Sequence, residues 1–227
     1  MISQKKKKIH IIGTNARDID DCTLEAIEKI DSSDLIILSR VFSNNFFLHA
    51  KQRRIRIIEQ ESLSKVNNPS LWEKINKLFN SQNRVITHLL DGDTYVDHNG
   101  LEERNFFNNN GIDCQLTPGI IKFVNILNRN SELLTVREKN SSVTFIKSFE
   151  VKEVGKILEN SYFEKAVIIL ESKAQFNGVW GYLRKRQSVA NFKIRYIDGN
   201  FEDINKLTIN KENMLKIPAY IIIEKNE

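Results

Sequence analysis

Cysteine is almost missing from this chain: 227 residues contain two, Cys22 and Cys114. Two thiols cannot build a disulfide framework, and no Cys/His cluster has metal-ligand spacing. Proline (three) and glycine (nine) are sparse, and no tandem repeat or low-complexity linker breaks the chain. No apolar run approaches the roughly 20 residues that cross a bilayer, so no membrane association is expected. After the basic start at Lys5 to Lys8 the apolar stretch ends at Gly13, too short for the apolar region of a secretory signal. A soluble, cytoplasmic protein is expected. The four histidines, His10, His49, His88 and His98, have no i, i+4 pairing suited to a metal. A G-x-S-x-G elbow is missing too, so covalent hydrolase chemistry has no support.

What remains is an ordinary globular composition. Hydrophobic residues make up 41% and charged residues 28%, which argues against disorder. The length suits one large or two small domains, and a chain of this size buries about 70% or more of its unfolded surface without staples. The net charge of +5 raises a nucleic-acid reading. The cations, however, cluster only at Lys5 to Lys8, at Arg53, Arg54 and Arg56, and at Arg184 to Arg186. Aromatic residues do not interleave with them as a stacking surface requires. No nucleic-acid partner is expected, and the mild basic excess suits a small polyanionic substrate equally well.

Helices and strands alternate along the chain. Ile9 to Ile12 reads as a strand stopped by Gly13. Leu24, Ala26, Ile27 and Ile30 fall at helical spacing, with Asp20 or Asp21 available as N-cap. Leu35 to Leu38 is a four-residue apolar run, the pattern of a strand buried on both faces. The spacing predicts a helix over Trp72, Ile75, Leu78 and Phe79, a strand over Val85 to Leu90, a helix from Leu101 to Asn109 and a strand from Asp113 to Leu116. Pro118-Gly119 punctuates the chain and gives a domain boundary, 1–117 and 118–227. Beyond it, helices are predicted at Ile120 to Asn128, Val151 to Asn160 and Val179 to Arg186. Strands are predicted at Ser142 to Ile146, Ala166 to Leu170, Phe192 to Ile197 and Ala219 to Ile223. The fold class is α/β.

Ligands of open α/β sheets sit at the carboxyl ends of strands, and three such ends stand out. Gly13 to Asp18 lacks the G-x-G-x-x-G spacing of a dinucleotide site, so its lone glycine reads as a tight turn or a weak ligand signal. Asp91-Gly92-Asp93-Thr94 offers two carboxylates for ribose hydroxyls or an amine, or forms a turn that caps the next segment. Arg40, after Ser39, either clamps a carboxylate bidentately or is a solvated loop residue.

The order of these pieces is more specific than any one of them. Ile9 to Ser43 follows a strand, a G-x-G-P-G-D loop, a D-x-L-T-L-x-A helix and an A-D-V-V-V-Y-D-R-L-V-S strand without a gap. Here the pieces stand as Gly13-Thr-Asn-Ala-Arg-Asp18, Asp20-Asp-Cys-Thr-Leu-Glu-Ala26 and Ser33 to Ser43. Asp91 to Val96 and Gly100 to Glu103 correspond to G-G-D-P-F-V and G-G-E-E. Pro118-Gly119-Ile120 corresponds to P-G-V, Leu134 to Ile146 to L-T-H-R…S-V-T-F-V, and Pro218 to Ile223 to S-P-A-L-I-V-V. On these segments the sequence resembles the tetrapyrrole methylases, nearest to their uroporphyrinogen-III C-methyltransferase branch.

The resemblance implies a two-domain α/β homodimer, each domain a sheet flanked by helices, that holds S-adenosylmethionine in a cleft between the domains and methylates carbons of a reduced tetrapyrrole on the way to sirohaem or cobalamin. It implies cofactor contacts at Asp91, Gly92, Asp93, Val96, Ile121, Lys122, Glu171, Gly199 and Ala219. Arg40 and Arg137 would face the many carboxylates of the substrate. Asp18 keeps the aspartate of the first loop, and Ser39 stands where the family has a candidate proton-accepting aspartate. Other ligand-facing positions differ as well. Asn15, Ala16 and Arg17 replace two glycines and a proline, Asp91 replaces a glycine, Thr94 a proline, Ile121 a threonine and Val136 a histidine. Ile57 to Gln60 stands near the place of a V-G-K-R lysine motif, and Leu170-Glu171-Ser172 replaces Y-M-G. These changes fit two other readings: a methylase with a different acceptor, or a non-catalytic descendant that binds a tetrapyrrole or a partner.

Overall fold

The computed structural model describes residues 7–14, 18–38, 42–59, 69–79, 84–129, 133–135, 142–147, 150–160, 164–187, 192–198 and 219–225. The chain divides into two compact units, Met1–Lys122 and Phe123–Glu227, each built on its own sheet.

In the first unit, β1 (Lys8–Thr14), β2 (Leu35–Leu38), β3 (Arg56–Glu59), β4 (Val85–Asp91) and β5 (Asp113–Thr117) form a five-stranded sheet in the order β3-β2-β4-β1-β5. Every pairing is parallel, so each connection is a crossover that lays a helix on one face. Helices α1 (Leu24–Asp31) and α2 (Asn44–Gln52) put Ala26, Ile30, Phe46 and Ala50 against Ile12, Ile36, Leu38 and Leu89. The other face, Ile9, Ile11, Ile37, Ile86 and Leu90, meets Ile75 and Phe79 at α3 (Pro69–Leu78) and Phe107 of α4 (Gly100–Asn109). With helices on both faces, all four residues of β2 are buried, which is why that strand is uniformly apolar.

The second unit is smaller and mixed. Its strands β6 (Val143–Lys147), β7 (Lys165–Leu170), β8 (Phe192–Asp198) and β9 (Ala219–Lys225) take the order β6-β7-β9-β8. β6 and β7 run parallel, and β9 is antiparallel to both its neighbours. Val154 of α6 (Val151–Asn160) and Phe176, Val179 and Leu183 of α7 (Lys173–Gln187) cover Ala166, Ile168, Ile221 and Ile223. Helix α5 (Lys122–Arg129) brings Phe123 onto Phe145 and Tyr220.

Several local features depart from the sequence pattern. β1 does not stop at Gly13 but continues to Thr14, paired with Asp91. α1 is capped by Thr23, whose hydroxyl accepts from the Ala26 N–H at 3.2 Å, while Asp20 and Asp21 lie in a 3-10 turn, Ile19–Asp21. Leu24, the first residue of α1, faces solvent at 81% exposure. α2 and β3 are additional elements. The α2 signal was its cap: the Ser43 hydroxyl accepts from the Phe46 N–H, with Phe46 and Ala50 one turn apart and both buried. α7 begins ahead of Val179 because Ser172 and Gln175 form a capping box. The Ser172 hydroxyl accepts from the Gln175 N–H at 3.2 Å, and Gln175 Oε1 accepts from the Ser172 N–H at 3.1 Å.

Candidate functional site

Adjacent strands β1 and β4 send their following helices to opposite faces of the first sheet, α1 to one and α4 to the other. That makes a topological switch point, and the carboxyl ends of two such strands diverge into a crevice. β1 delivers Gly13 and Thr14 to this point, β4 delivers Asp91 to Asp93, and the chain leaving β5 brings Pro118 to Lys122 beside them.

Backbone packs on backbone here. A Cβ on Gly13 would lie 2.5 Å from Gly92 O and 2.7 Å from Gly119 N, and one on Gly119 would collide with the same carbonyl. Gly13 is therefore required by close approach inside a strand, not by a turn. Gly92 has φ 107°, a left-handed conformation that side chains resist, and its N–H donates to Thr14 O at 2.5 Å.

Three aspartates hold the loop after β4 to the segment after β5. Asp93 Oδ1 accepts from the N–H groups of Tyr95 (2.8 Å) and Val96 (3.0 Å), and its Oδ2 from Gly119 N–H at 3.1 Å. Asp97 Oδ2 accepts from Asp93 N–H at 2.8 Å and from Lys122 N–H, at the start of α5, at 3.0 Å. Asp91 Oδ2 is ion-paired with Lys122 Nζ, the two side chains 8% and 19% exposed. Burial pushes the Asp97 carboxyl above its ordinary range, opposed by those two N–H donors and by the charges of His98 and Lys122. Asp91 to Thr94 is thus a turn in which the side chains of Asp93 and Asp97 fix the backbone and Asp91 fixes a cation. His98 braces it further, its Nε2 2.8 Å from Asp91 O. Asp97 and His98 were not selected from sequence. Their signal was a carboxylate one turn beyond Asp93.

The structure brings Asp91, Gly92, Asp93, Val96, Ile121 and Lys122 together at this crevice. Tyr95 (55%) and Val96 (38%) are exposed at its edge, and Ile121 is half-buried. Asp18 lies just beyond β1, where its Oδ2 accepts from Asn45 Nδ2 at 2.8 Å while its Oδ1 is buried without a partner. Glu171 and Ala219 belong to the second unit. Glu171 follows β7 and is ion-paired with Lys147 at 3.1 Å. Ala219 opens β9 opposite Leu170. Ser39, Arg40, Arg137 and Gly199 lie outside the described residues. Among the described residues no group of three His, Cys, Asp or Glu side chains could hold a metal, and no helix is long and apolar enough to cross a membrane.

Comparison with known proteins agrees with this architecture. The chain is 26% identical over 149 residues to a uroporphyrinogen-III C-methyltransferase of Bacillus subtilis, covering 64% of this chain and 57% of that one. It is 29% identical over 142 residues to the S-adenosyl-L-methionine-dependent uroporphyrinogen III methyltransferase, chloroplastic, of Arabidopsis thaliana, covering 61% and 38%. The chain therefore spans less than two thirds of the length of either relative. In fold it superimposes on a uroporphyrin-III-C-methyltransferase of Thermus thermophilus with a TM-score of 0.70 at 17% identity, covering 97% of this chain and 95% of that one. A sequence profile of the Tetrapyrrole (Corrin/Porphyrin) Methylases matches residues 8–194, and with most of its length inside that match the chain belongs to this family.

Proposed function

We propose that this protein is an S-adenosylmethionine-dependent methyltransferase acting on a reduced tetrapyrrole, with uroporphyrinogen III the first acceptor to test and sirohaem or cobalamin synthesis the setting. The observation that carries this reading is the switch-point crevice of β1 and β4, with its loop held rigid by Asp93 and Asp97. Its donor set suits the cofactor. Asp18 Oδ1 is a buried acceptor lacking a donor, such as a hydroxyl or ammonium would supply. Tyr95 and Val96 offer exposed apolar surface to a flat ring. When bound, S-adenosylmethionine supplies a methyl group on a positively charged sulfur.

The chain's own contribution is capture and orientation. Backbone fixed before binding loses little freedom when ligand arrives, and correct placement of reacting groups lowers a barrier without any acid or base. Arg40 and Arg137 are the proposed clamps for substrate carboxylates. Ser39 carries no charge with which to take a ring proton, so removal of that proton is assigned to no described side chain. Assembly as a homodimer in the cytoplasm belongs to the same reading.

Calorimetric titration with S-adenosylmethionine and S-adenosylhomocysteine tests it first. Binding in the micromolar range, about −8 kcal/mol, is expected, followed by methyl transfer to uroporphyrinogen III. Failure to bind either compound at millimolar concentration overturns the reading. The occupation of Asp91 by Lys122 favours one alternative, a descendant that binds tetrapyrroles without methylating them. It predicts tetrapyrrole binding in the same calorimeter with no cofactor response.

A further inference from the structure

The cofactor and its demethylated product are nearly the same molecule. They differ by one methyl group and by the positive charge on sulfur, so a site separates them chiefly through its local charge. At the switch-point crevice the described loops present one strongly placed charge pair, Asp91 with Lys122. Asp91 ends β4 with its side chain 8% exposed, and Lys122 opens α5 with its side chain 19% exposed. The lysine cannot drift far, because its backbone N–H is held by Asp97 Oδ2 at 3.0 Å. The backbone that carries the carboxylate is held from the other side, since Asp91 O lies 2.8 Å from His98 Nε2 and Gly92 N–H is bonded to Thr14 O. Both charges therefore keep their positions, and at partly buried sites their fields act over several ångströms with little screening.

We propose that the Lys122–Asp91 ion pair sets how this site discriminates the sulfonium cofactor from its neutral product, Lys122 cancelling a carboxylate that would otherwise favour the cation. The inference rests on the methyltransferase reading above. Intact, the pair is neutral and gives the sulfonium no electrostatic advantage. Without the ammonium, the carboxylate attracts the sulfonium and holds the product no better. Without the carboxylate, the ammonium repels the sulfonium and leaves the product unaffected. Lys122 is then a specificity-determining residue, and the crevice gives up part of its preference for substrate in exchange for a fixed loop.

The test is a charge cycle read as a ratio of affinities. S-adenosylmethionine and S-adenosylhomocysteine are titrated calorimetrically into the full chain, as wild type, Lys122→Met, Asp91→Asn and the double variant. Relative to wild type, K122M is expected to shift the affinity ratio about tenfold toward S-adenosylmethionine and D91N about tenfold toward S-adenosylhomocysteine. The double variant is expected to return to the wild-type ratio. Using a ratio removes any uniform loss of binding from a distorted loop. Should K122M fail to fold, D91N still carries the test with the opposite sign, because its lysine keeps access to solvent. A ratio that stays constant across folded variants that bind both ligands overturns this inference and leaves the methyltransferase reading standing. Wild-type protein that binds neither ligand overturns both.

Discussion

Each unit joins a lysine to a carboxylate at or just beyond the carboxyl ends of its strands, and the two ion pairs have different surroundings. In the second unit Lys147, at the end of β6, meets Glu171 after β7 at 3.1 Å, with side chains 37% and 41% exposed. In the first unit Lys122 meets Asp91 with both side chains largely covered. Water screens the first pair and competes with it, so its contribution is small. The second pair has given up most of its hydration, and the partners depend on each other. Both pairs join an ammonium to a carboxylate, and the difference comes from topology. At the switch point of the all-parallel sheet, the loops after β4 and β5 are bound together over the strand ends. In the mixed sheet the corresponding pair stays near the surface.

The largest expected effect tests this contrast directly. Lys122→Met should lower unfolding stability by about 3–5 kcal/mol, as when one partner of a buried pair is removed. Lys147→Met should change it by less than about 0.5 kcal/mol. Chemical denaturation of both variants checks this, and equal losses would break the comparison.

Next comes acid sensitivity. His10 is buried in β1 with Nδ1 unpartnered. Burial, reinforced by Lys8 and Lys29 against Asp113, holds its imidazole down to about 4 from 6.5. Because the folded-state value is depressed, the neutral ring favours the native state above pH 6.5. As pH falls toward 4 the unfolded chain takes up the proton first, and stability drops. The drop is on the order of 2–3 kcal/mol. His10→Leu should flatten this part of a stability profile measured between pH 4 and 7. An unchanged slope would locate the acid sensitivity elsewhere.

The smallest effects concern glycines. Gly92→Ala should cost about 2 kcal/mol through its left-handed backbone, since a Cβ there also meets the Asp97 carboxylate. In the second unit, Gly181 lies inside α7 with nothing within 4 Å of an added Cβ. Gly181→Ala should therefore raise stability by about 0.5–1 kcal/mol. Thermal melts of the two variants should move in opposite directions.

Much of the fold was legible wherever burial alone writes the pattern. Leu35 to Leu38 and Ala166 to Leu170 announce strands because both faces are covered, and their composition carries that information. Caps were less legible. Thr23 outcompeted Asp20 and Asp21 because Ile19 is drawn into the core and tightens the chain before α1. Ser172 and Gln175 spelled a capping box, yet the apolar period of α7 becomes plain only at Val179. At the site, the sequence left Asp91 and Asp93 open between acceptors for a ligand and a capping turn. Asp93 spends both oxygens on backbone N–H groups, two in its own turn and one on Gly119, far away in sequence. Asp97 uses one oxygen, Oδ2, to join the Asp93 N–H to the start of α5. Such assignments depend on which loops the sheet order makes neighbours, and that order, β3-β2-β4-β1-β5, is not written in any local period.

The same order bears on how the protein is made. β1 is synthesised early, but its partners are β4 and β5, with Ile9 opposite Ile86 and Cys114. While the ribosome is still translating the intervening segments, β2 and β3 can already pair with each other, whereas Ile9, Ile11 and Ile12 have no strand to join. A nascent chain therefore carries an apolar, unpaired first strand until β4 emerges, and long-range parallel pairing of this kind forms slowly. During synthesis the centre of the first sheet stays open until β4 emerges, and the edge strand β5 completes it.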